Sequence, residues 1–298
     1  MRAFHTDEFL LPLPPEHRFP MDKYPRLREW VTKNEPSIQL NTPPAAEVDD
    51  LCLVHEPDYV DRVLKGQLDT KEVRAIGFPW SPHLVNRSLR SVGATVAASR
   101  ISQEEGVAVN LAGGTHHAFS NRGEGYCVFN DCAVATRVLQ TQCGVERVLI
   151  WDCDVHQGNG TANIFAQDAS VFTCSFHGEK NYPFTKEESD LDIALPDEAN
   201  DEVYLGRLRE HLPRVLREFK PQHVLYLSGA DPYSGDRLGR LGLSKAGLAV
   251  RDRFVFESVV GLGIPITVCM GGGYAEAVED IVEIHGRTVL EAFAAWCR

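Results

Sequence analysis

Residues 147–160 read RVLIWDCDVHQGNG, a stretch in which an apolar run is followed at once by closely spaced acidic residues and a histidine. It starts with a short apolar run, residues 148–151, which has charge before it and polar residues and glycine after it. A continuous apolar run of this length is typical of a strand buried on both faces of a parallel sheet. The change from apolar to polar residues at Asp152 therefore predicts the end of a strand.

Three of the polar residues, Asp152, Asp154 and His156, alternate with Cys153 and Val155. If the chain stays extended, the period of two in a strand places these three on one face and Cys153 on the other. A carboxylate and an imidazole two residues apart supply ligands that suit Zn²⁺ or Fe²⁺. The stretch thus predicts half of a metal site, and the other half has to come from elsewhere in the chain.

The same pattern, an apolar run that ends in a polar segment, recurs along the chain. The runs cover residues 107–111, 148–151, 171–176, 224–227 and 264–270, and helical stretches cover residues 133–142, 202–219 and 247–262. Alternating strands and helices predict an α/β fold with an open, mostly parallel sheet flanked by helices. Ligands bind at the carboxyl ends of the strands in such sheets. No linker or change of composition divides the chain, so we expect a single domain over residues 1–298.

Composition and charge narrow the class of protein. The 298 residues are 43% hydrophobic, enough for a substantial core, and the net charge of -12 opposes direct binding to nucleic acid. The eight cysteines form no CxxC pair and lie mostly in apolar context, which is typical of reduced thiols in a cytosolic protein. The start is polar, and no apolar run approaches the roughly 18 residues that a membrane span needs. We therefore expect a cytoplasmic protein that does not enter a membrane.

A second carboxylate follows the run 224–227, in the segment SGADPYSGDRLG that contains Asp231. An aspartate before proline is most often a turn residue. The position after a strand favours a metal ligand instead, because Asp154, His156 and Asp231 leave coordination positions open for water and substrate, as a catalytic site requires. Asp236 is interpreted as a residue that holds the loop.

A histidine pair, His116 and His117, follows two glycines after the run 107–111. A pair of this kind is usually a surface or packing feature. At a strand end it is better explained as a pair of acid and base groups, because the unperturbed pKa of histidine, about 6.5, lies close to neutral pH. Asp152 is a candidate partner for one ring, and Asn159 for the other.

Tyr274 comes directly after three glycines. The plain alternative is a packed aromatic side chain in a turn. Three consecutive glycines are costly in backbone entropy, however, and are best explained where a ligand or another backbone approaches closely. A phenol beside such a turn can donate a hydrogen bond to a developing oxyanion. A nucleotide loop is not indicated, since neither a Lys-Ser sequel nor a GxGxxG pattern is present.

Four motifs thus occur in the order GGTHH, DCDVHQGNG, SGADPYSGDRLG and GGGY. With this combination, which spans residues 113–274, the chain resembles the histone deacetylase superfamily, which includes acetylpolyamine amidohydrolases and acetoin-utilization proteins. The compact length and the HEPDYV stretch resemble the class IV type and its bacterial relatives.

The resemblance implies an arginase-like α/β sheet and hydrolysis of an N-acyl amide on a lysine-like amine. His117 matches the general base, and His116 its electrostatic or acid partner. Tyr274 matches the phenol that polarises the acyl carbonyl together with a metal. The ligands of that metal, Zn²⁺ with Fe²⁺ as an alternative, match Asp154, His156 and Asp231.

The resemblance further implies a substrate tunnel and a structural monovalent cation. Tyr126, next to Gly125, matches the aromatic residue of one tunnel wall, where Phe is common, and Gly273 lies at the floor. Tyr182 is the candidate for the opposite wall. The residues that match the segments around the cation, K⁺, are Asp152, Asp154, His156, Ser175 and Phe176.

Two departures from the family pattern affect these expectations. Asn159 stands where many members have the aspartate that orients the general base, so His117 lacks an ionic partner and we expect its pKa to lie below that of His116. Residues 77–79 have no carboxylate, whereas many members have a rim aspartate there that grips the substrate backbone.

We therefore expect a zinc-dependent hydrolase of linear amides that removes acetyl or longer acyl groups from lysine side chains of proteins or peptides. Acylated polyamines and small metabolites are alternative substrates. A ureohydrolase on the same fold would need a two-metal cluster, with more aspartates at the strand ends. The alternative from another class is a module that binds acyl-lysine without cleaving it, and the presence of Tyr274 argues against it.

Overall fold

The computed structural model describes residues 1–14 and 16–298. Within these residues the chain forms one sheet of eight strands in the order β2-β1-β3-β8-β7-β4-β5-β6. The strands are β1 (Arg2–Phe4), β2 (Gln39–Asn41), β3 (Val107–Asn110), β4 (Val148–Asp152), β5 (Val171–Gly178), β6 (Leu191–Leu195), β7 (His223–Gly229) and β8 (Ile266–Gly271). The helices are α1 (Lys23–Asn34), α2 (Val48–Leu51), α3 (Pro57–Lys65), α4 (Thr70–Ile76), α5 (Pro82–Glu105), α6 (Asp131–Gln142), α7 (Asn159–Phe165), α8 (Asp201–Phe219), α9 (Lys245–Val260) and α10 (Val278–Trp296).

The predicted α/β class with helices around an open sheet is confirmed, and every strand pairing between the described residues is parallel. The edge strands β2 and β6 and the helices α4, α7 and α10 were not predicted from the sequence. Strand β2 has three residues, none of them buried, so it lacks the apolar run that marks the central strands.

The core lies on both faces of the sheet because successive side chains of a strand point to opposite sides. In β4, Leu149 and Trp151 pack on the face covered by α8, α9 and α10. Val148 and Ile150 pack on the other face, against α3, α5 and α6. In the described part of the chain, no helix has both the length and the apolar character that a membrane crossing requires.

Four adjacent strands, β3, β8, β7 and β4, form the centre of the sheet, and each ends in one of the four sequence motifs. Their registers bring the ends together: Gly229 of β7 pairs with Gly271 of β8, and Asp152 of β4 pairs with Leu227 of β7. Because all the strands run in the same direction, the polar segments all follow the carboxyl ends of the strands, on one side of the sheet. A site assembled from all four motifs therefore has to lie at these carboxyl ends.

A buried ion pair stabilises the carboxyl ends of β4 and β7. Arg251 of α9 is fully buried, and its Nη1 donates to the carbonyl oxygens of Gly229 at 2.8 Å and of Cys153 at 3.3 Å. Its Nε donates to Oδ1 of Asp252 at 2.8 Å, and this carboxylate also accepts from the Tyr226 hydroxyl at 2.5 Å. The arginine thus ties the ends of β4 and β7 together, directly before Asp154 and close to Asp231.

We predict that Arg251→Leu lowers the free energy of unfolding by about 3–5 kcal/mol, because it leaves the Asp252 carboxylate buried without its charge partner. The matched control is Arg253→Leu on the same helix, where Arg253 is 55% exposed and pairs with Glu291 at the surface. That change should cost less than about 1 kcal/mol. Equal costs in urea unfolding would contradict the role given to the buried pair.

Candidate active site

Two carboxylates and an imidazole converge where β4 and β7 end. One ligand atom from each of Asp154, His156 and Asp231 lies within 4.8 Å of the other two. Nδ1 of His156 is 2.9 Å from Oδ1 of Asp154 and 3.2 Å from Oδ2 of Asp231. Asp231 is fully buried, and its Oδ2 accepts no hydrogen bond from the described residues. A buried carboxylate oxygen without a donor fits a bound cation.

The pKa values of Asp231 and His156 also indicate a site for a cation. Burial, and then the charge of Asp154, raise the pKa of Asp231 to about 7. Burial would lower the pKa of His156, but the carboxylates of Asp154 and Asp231 beside the ring outweigh burial and raise the pKa to about 10. Without a metal, protons supply the positive charge that two buried carboxylates require. The donor set therefore fits a divalent cation such as Zn²⁺.

The glycine turn after β8 is shaped around Asp231. Gly272 has a φ of 58°, and a Cβ at this position would lie 2.0 Å from Oδ2 of Asp231. A side chain there would occupy the space beside the free carboxylate oxygen. This contact gives a physical reason for glycine before Gly273 and Tyr274.

A second buried group of potential ligands, Asp131, Cys132 and Cys269, has a structural role. The Asp131 carboxylate accepts hydrogen bonds from the amide of Thr115 at 2.7 Å and from its hydroxyl at 2.6 Å. It also accepts from the amide of Gly114 at 3.1 Å. Asp131 thus holds the loop that carries the histidine pair.

The alternation expected for Asp152, Asp154 and His156 does not continue past the strand. Strand β4 ends at Asp152, so the three side chains do not share one face. Asp152 points to His116, whereas Asp154 and His156 meet Asp231. Cys153 is fully buried and belongs to the hydrophobic core, as predicted.

The two histidine rings lie side by side, with centroids 4.1 Å apart, and each has its own partner. Nδ1 of His116 donates to Oδ2 of Asp152 at 2.6 Å. Nδ1 of His117 pairs with Oδ1 of Asn159 at 2.7 Å. Both rings are buried, and both line the pocket that contains Asp154 and His156. Asp152 and Asn159 are therefore the two partners that the sequence suggested.

Glu124 fixes the proton position on His117 through Asn159. Nδ2 of Asn159 donates to Oε1 of Glu124 at 2.7 Å, and an ionised carboxylate only accepts. The amide group must therefore face Glu124, so Oδ1 faces His117 and Nδ1 of that ring carries the proton. In the neutral ring, Nε2 is then left with its lone pair free, which is the form that a general base needs.

The two rings have opposite pKa shifts. Burial, and then the neighbouring charges of His116 and His156, lower the pKa of His117 well below its usual value. Burial also acts on His116, but the charges of Asp152 and Asp154 outweigh it and raise its pKa to about 9. At neutral pH the pair thus consists of one imidazolium and one neutral ring. The direction agrees with the expectation from Asn159.

Tyr274 closes the pocket from the β8 side. Its amide donates to Oδ2 of Asp236 at 2.6 Å, and Asp236 also accepts from the amides of Leu238 and Gly239. Asp236 thus holds the loop, as interpreted from the sequence. Burial, and then the charge of Asp231, raise the pKa of Tyr274 well above its usual range, so the phenol keeps its proton.

The predicted tunnel residues fall into two groups. Tyr126 and Tyr182 both line the mouth of the pocket, which His117, His156 and Tyr274 also line. The centroid of the Tyr182 ring lies 5.0 Å from that of the His117 ring. Gly125 has a φ of 57°, and a Cβ there would lie 2.7 Å from Cδ2 of His117. Gly272 lines the pocket, whereas Gly273 packs behind it, where a Cβ would lie 2.5 Å from Ile281.

The residues predicted around a monovalent cation lie at the ends of β4 and β5. Asp152 pairs with Ser175 in the sheet register, and Oδ1 of Asp152 accepts from the amide of Asp154 at 3.0 Å. Phe176 is fully buried and packs on Trp151, so any contribution from it would come from its backbone. His156 belongs to the metal-type cluster through its side chain.

With this geometry in place, similarity to known proteins identifies the family. A profile described as "Histone deacetylase domain" matches residues 17–289. The chain belongs to the histone deacetylase family. An uncharacterized protein of Picosynechococcus sp. is 44% identical over 95% of this chain and 95% of its own length. Histone deacetylase 2 of Arabidopsis thaliana is 30% identical over 78% of this chain, and RPD3 of Saccharomyces cerevisiae is 31% identical over 76%.

These two histone deacetylases are longer proteins, and the matched regions span 64% and 56% of them. The HD domain of HDA15 shares the fold, with a TM-score of 0.82 and 21% identity over 98% of this chain and 91% of that one. Family membership supports deacetylase-type amide hydrolysis and general dependence on a metal.

Four residues of the site were missed by the sequence analysis. Glu124 and Asp131 position the histidines, and Lys23 and Arg87 line the inner part of the pocket. Glu124 lies between two glycines one residue before the tunnel segment, which was the available signal. The other three lie on helices and have no motif of their own.

We predict that giving His117 a direct carboxylate partner shifts the pH profile of kcat/KM. The double variant Glu124→Gln, Asn159→Asp should raise the His117 pKa by about 1–3 units. Since the base works as the neutral ring, the acidic limb of the profile should move to higher pH. The profile is to be measured at full metal occupancy.

Two controls accompany this variant. Glu124→Gln alone adds no charge beside His117, so it should not move the acidic limb upward. Asn163→Asp places a carboxylate at an exposed position of the same helix and should leave the profile unchanged. An unmoved limb in the double variant would refute His117 as the base.

Proposed function

We propose that this chain is a metal-dependent deacylase that hydrolyses acyl amides on lysine side chains of proteins or peptides. The observation that carries the proposal is the content of one pocket. Asp154 and His156 of the metal-type donor cluster line it, together with a neutral histidine, a histidinium and a protonated tyrosine. This set matches the needs of amide hydrolysis, which requires a polarised carbonyl, a base for water and an acid for the leaving amine.

Asp154, His156 and Asp231 would hold the divalent cation, Zn²⁺ or alternatively Fe²⁺. When bound, such a cation supplies Lewis acidity to the acyl carbonyl and lowers the pKa of water to about 7. We further propose that K⁺ is held by side-chain and carbonyl oxygens of Asp152, Asp154, His156, Ser175 and Phe176.

The remaining steps belong to the chain's own side chains. His117 accepts a proton from water at Nε2 while its Nδ1–H stays hydrogen-bonded to Oδ1 of Asn159. His117 later passes the proton from Nε2 to the leaving amine. His116, held as imidazolium by Asp152, stabilises negative charge on the reacting groups. The Tyr274 hydroxyl donates a hydrogen bond to the developing oxyanion.

The mouth of the pocket favours a lysine peptide over an acylated polyamine. Arg74, Lys180 and Arg240 lie around it with the aromatic walls. Asp197 lies 3.4 Å from Lys180 and 3.0 Å from Arg240, whereas Arg74 pairs with no carboxylate of the described residues. Positive charge at the mouth repels a polyamine, which is itself a polycation.

The proposal is tested by turnover of acetyl-lysine and longer acyl-lysine peptides on Zn²⁺-loaded protein, with acetylated polyamines assayed alongside. We expect cleavage of the peptides and little cleavage of the polyamines. Activity confined to polyamines would contradict the lysine assignment. Binding of acyl-lysine peptides without turnover would favour the non-catalytic alternative.

We predict that Tyr274→Phe lowers kcat by about 10² or more, because one oxyanion donor is lost. Metal content and peptide affinity should stay close to wild type. Tyr233→Phe is the matched control, since that hydroxyl lies outside the pocket, 3.5 Å from Asp280, and its loss should leave kcat unchanged. Near-normal turnover of Tyr274→Phe at equal metal content would refute the donor role.

A further inference from the structure

The inner part of the pocket contains two buried cations. Lys23 of α1 is 6% exposed and Arg87 of α5 is 8% exposed. Both line the same pocket as His116, His117 and Asp154. Charged lysine and arginine side chains are rarely buried to this extent unless a carboxylate pairs with them.

Neither cation has such a partner among the residues that the structure describes. Nζ of Lys23 donates to the carbonyl oxygen of Gly272 at 2.6 Å, which holds the turn before Tyr274. The Arg87 guanidinium stacks on the Tyr24 ring at 4.2 Å and donates no hydrogen bond within the described chain. Its Nη1 is inaccessible to solvent. A buried guanidinium donor without an acceptor is costly, so a ligand that supplies an acceptor is favoured there.

The Asp154 carboxylate in the same pocket does not act as the charge partner of Lys23 or Arg87. Asp154 is the one acidic residue among the described residues that line this pocket, and it belongs to the proposed metal ligands. A divalent cation would offset the charges of Asp154 and Asp231. The positive charge of Lys23 and Arg87 is then left for whatever enters the pocket.

We propose that the pocket recognises an acyl group that carries a carboxylate at its far end, so the substrate class is a lysine acylated by a dicarboxylic acid, such as succinyl-lysine or glutaryl-lysine. The planar guanidinium of Arg87 matches a carboxylate through two parallel hydrogen bonds. Arg87 is a specificity residue in this account, and Lys23 holds the turn and adds positive charge. The inference rests on the proposed deacylase function.

The reaction stays an ordinary amide hydrolysis. One water adds to the acyl carbon, the bond between this carbon and the lysine nitrogen breaks, and the nitrogen takes up a proton. The products are the free lysine side chain and the dicarboxylic acid. No oxidant, reductant or further reactant is needed.

The test compares peptides whose acyl groups have equal length and differ in charge. Zn²⁺-loaded protein is assayed with succinyl against butyryl peptides and with glutaryl against pentanoyl peptides, together with an acetyl peptide. We expect kcat/KM to favour the charged member of at least one pair by about tenfold or more, as one charge-assisted contact supplies. Arg87→Met should bring the ratio of kcat/KM between the charged and the neutral member of that pair to about one, because the charge-assisted contact is lost.

A matched control and a second readout separate recognition from stability. Arg100→Met removes an exposed arginine from the same helix and should keep the preference. Peptide affinity is measured by titration calorimetry on Tyr274→Phe, where binding should be tighter for the glutaryl than for the pentanoyl peptide. If Arg87→Met does not fold, the wild-type comparison of a glutaryl peptide with its methyl ester tests the same contact.

The outcomes are distinct. Cleavage of neutral acyl peptides without preference for the charged ones would overturn this inference and leave the proposed function standing. An equal loss on acetyl and charged substrates in Arg87→Met would also overturn it, since the residue would then not act on acyl specificity. No cleavage of any lysine peptide by metal-loaded protein would refute the proposed function and this inference together.

Discussion

The burial of two carboxylates in one ligand cluster is the constraint on which the rest of this structure depends. Asp154 and Asp231 are both buried, and one carboxylate oxygen of Asp154 lies within 4.8 Å of one of Asp231. Two negative charges this close in a buried site are strongly unfavourable without a counter-ion. The fold supplies rigid support for them. Strands β4 and β7 pair directly, and Arg251 binds the carbonyl oxygens of Cys153 and Gly229, one at the end of each strand.

The same cluster sets the electrostatics of the acid and base groups. His116 lies next to Asp152 and Asp154 and becomes cationic, and its charge then helps to keep His117 neutral. Asn159 takes part in this division because an amide orients His117 without adding a negative charge beside it. Glu124 binds Asn159 and does not contact His117 through a hydrogen bond, so its carboxylate sets the orientation of the amide and is not the direct charge partner of the ring.

Sequence patterns predicted the parts of the site that are determined by local order along the chain. The apolar runs that end at Asp152 and before Asp231 predicted parallel strands with functional side chains at their ends, and the registers confirm that these ends meet. Alternation failed after Asp152 because the strand stops there. Burial on both faces makes a strand visible as an apolar run, so the exposed three-residue strand β2 was not predicted.

Other parts depend on contacts between distant segments. Glu124 is 35 residues from Asn159, and Lys23 is 249 residues from Gly272, so no local pattern relates them. Arg87 lies on a helix whose sequence predicts only packing, and its position in the pocket appears once α5 is placed beside the motif after β3. The unpaired state of a buried charge is a property of three-dimensional structure and has no sequence signature.

If Asp154, His156 and Asp231 bind one divalent cation, calorimetric titration of Zn²⁺ into chelator-treated protein should detect that site. At pH 7 His156, with a pKa of about 10, holds a proton, and Asp231, with a pKa of about 7, holds one in part of the molecules; these protons must leave before the groups bind metal. The account predicts one tight site per chain, release of more than one proton per ion in buffers of different ionisation enthalpy, and affinity that rises with pH. It also predicts that Asp231→Asn loses the site. Unchanged tight binding in Asp231→Asn, or no tight binding to the wild-type chain, would contradict the account.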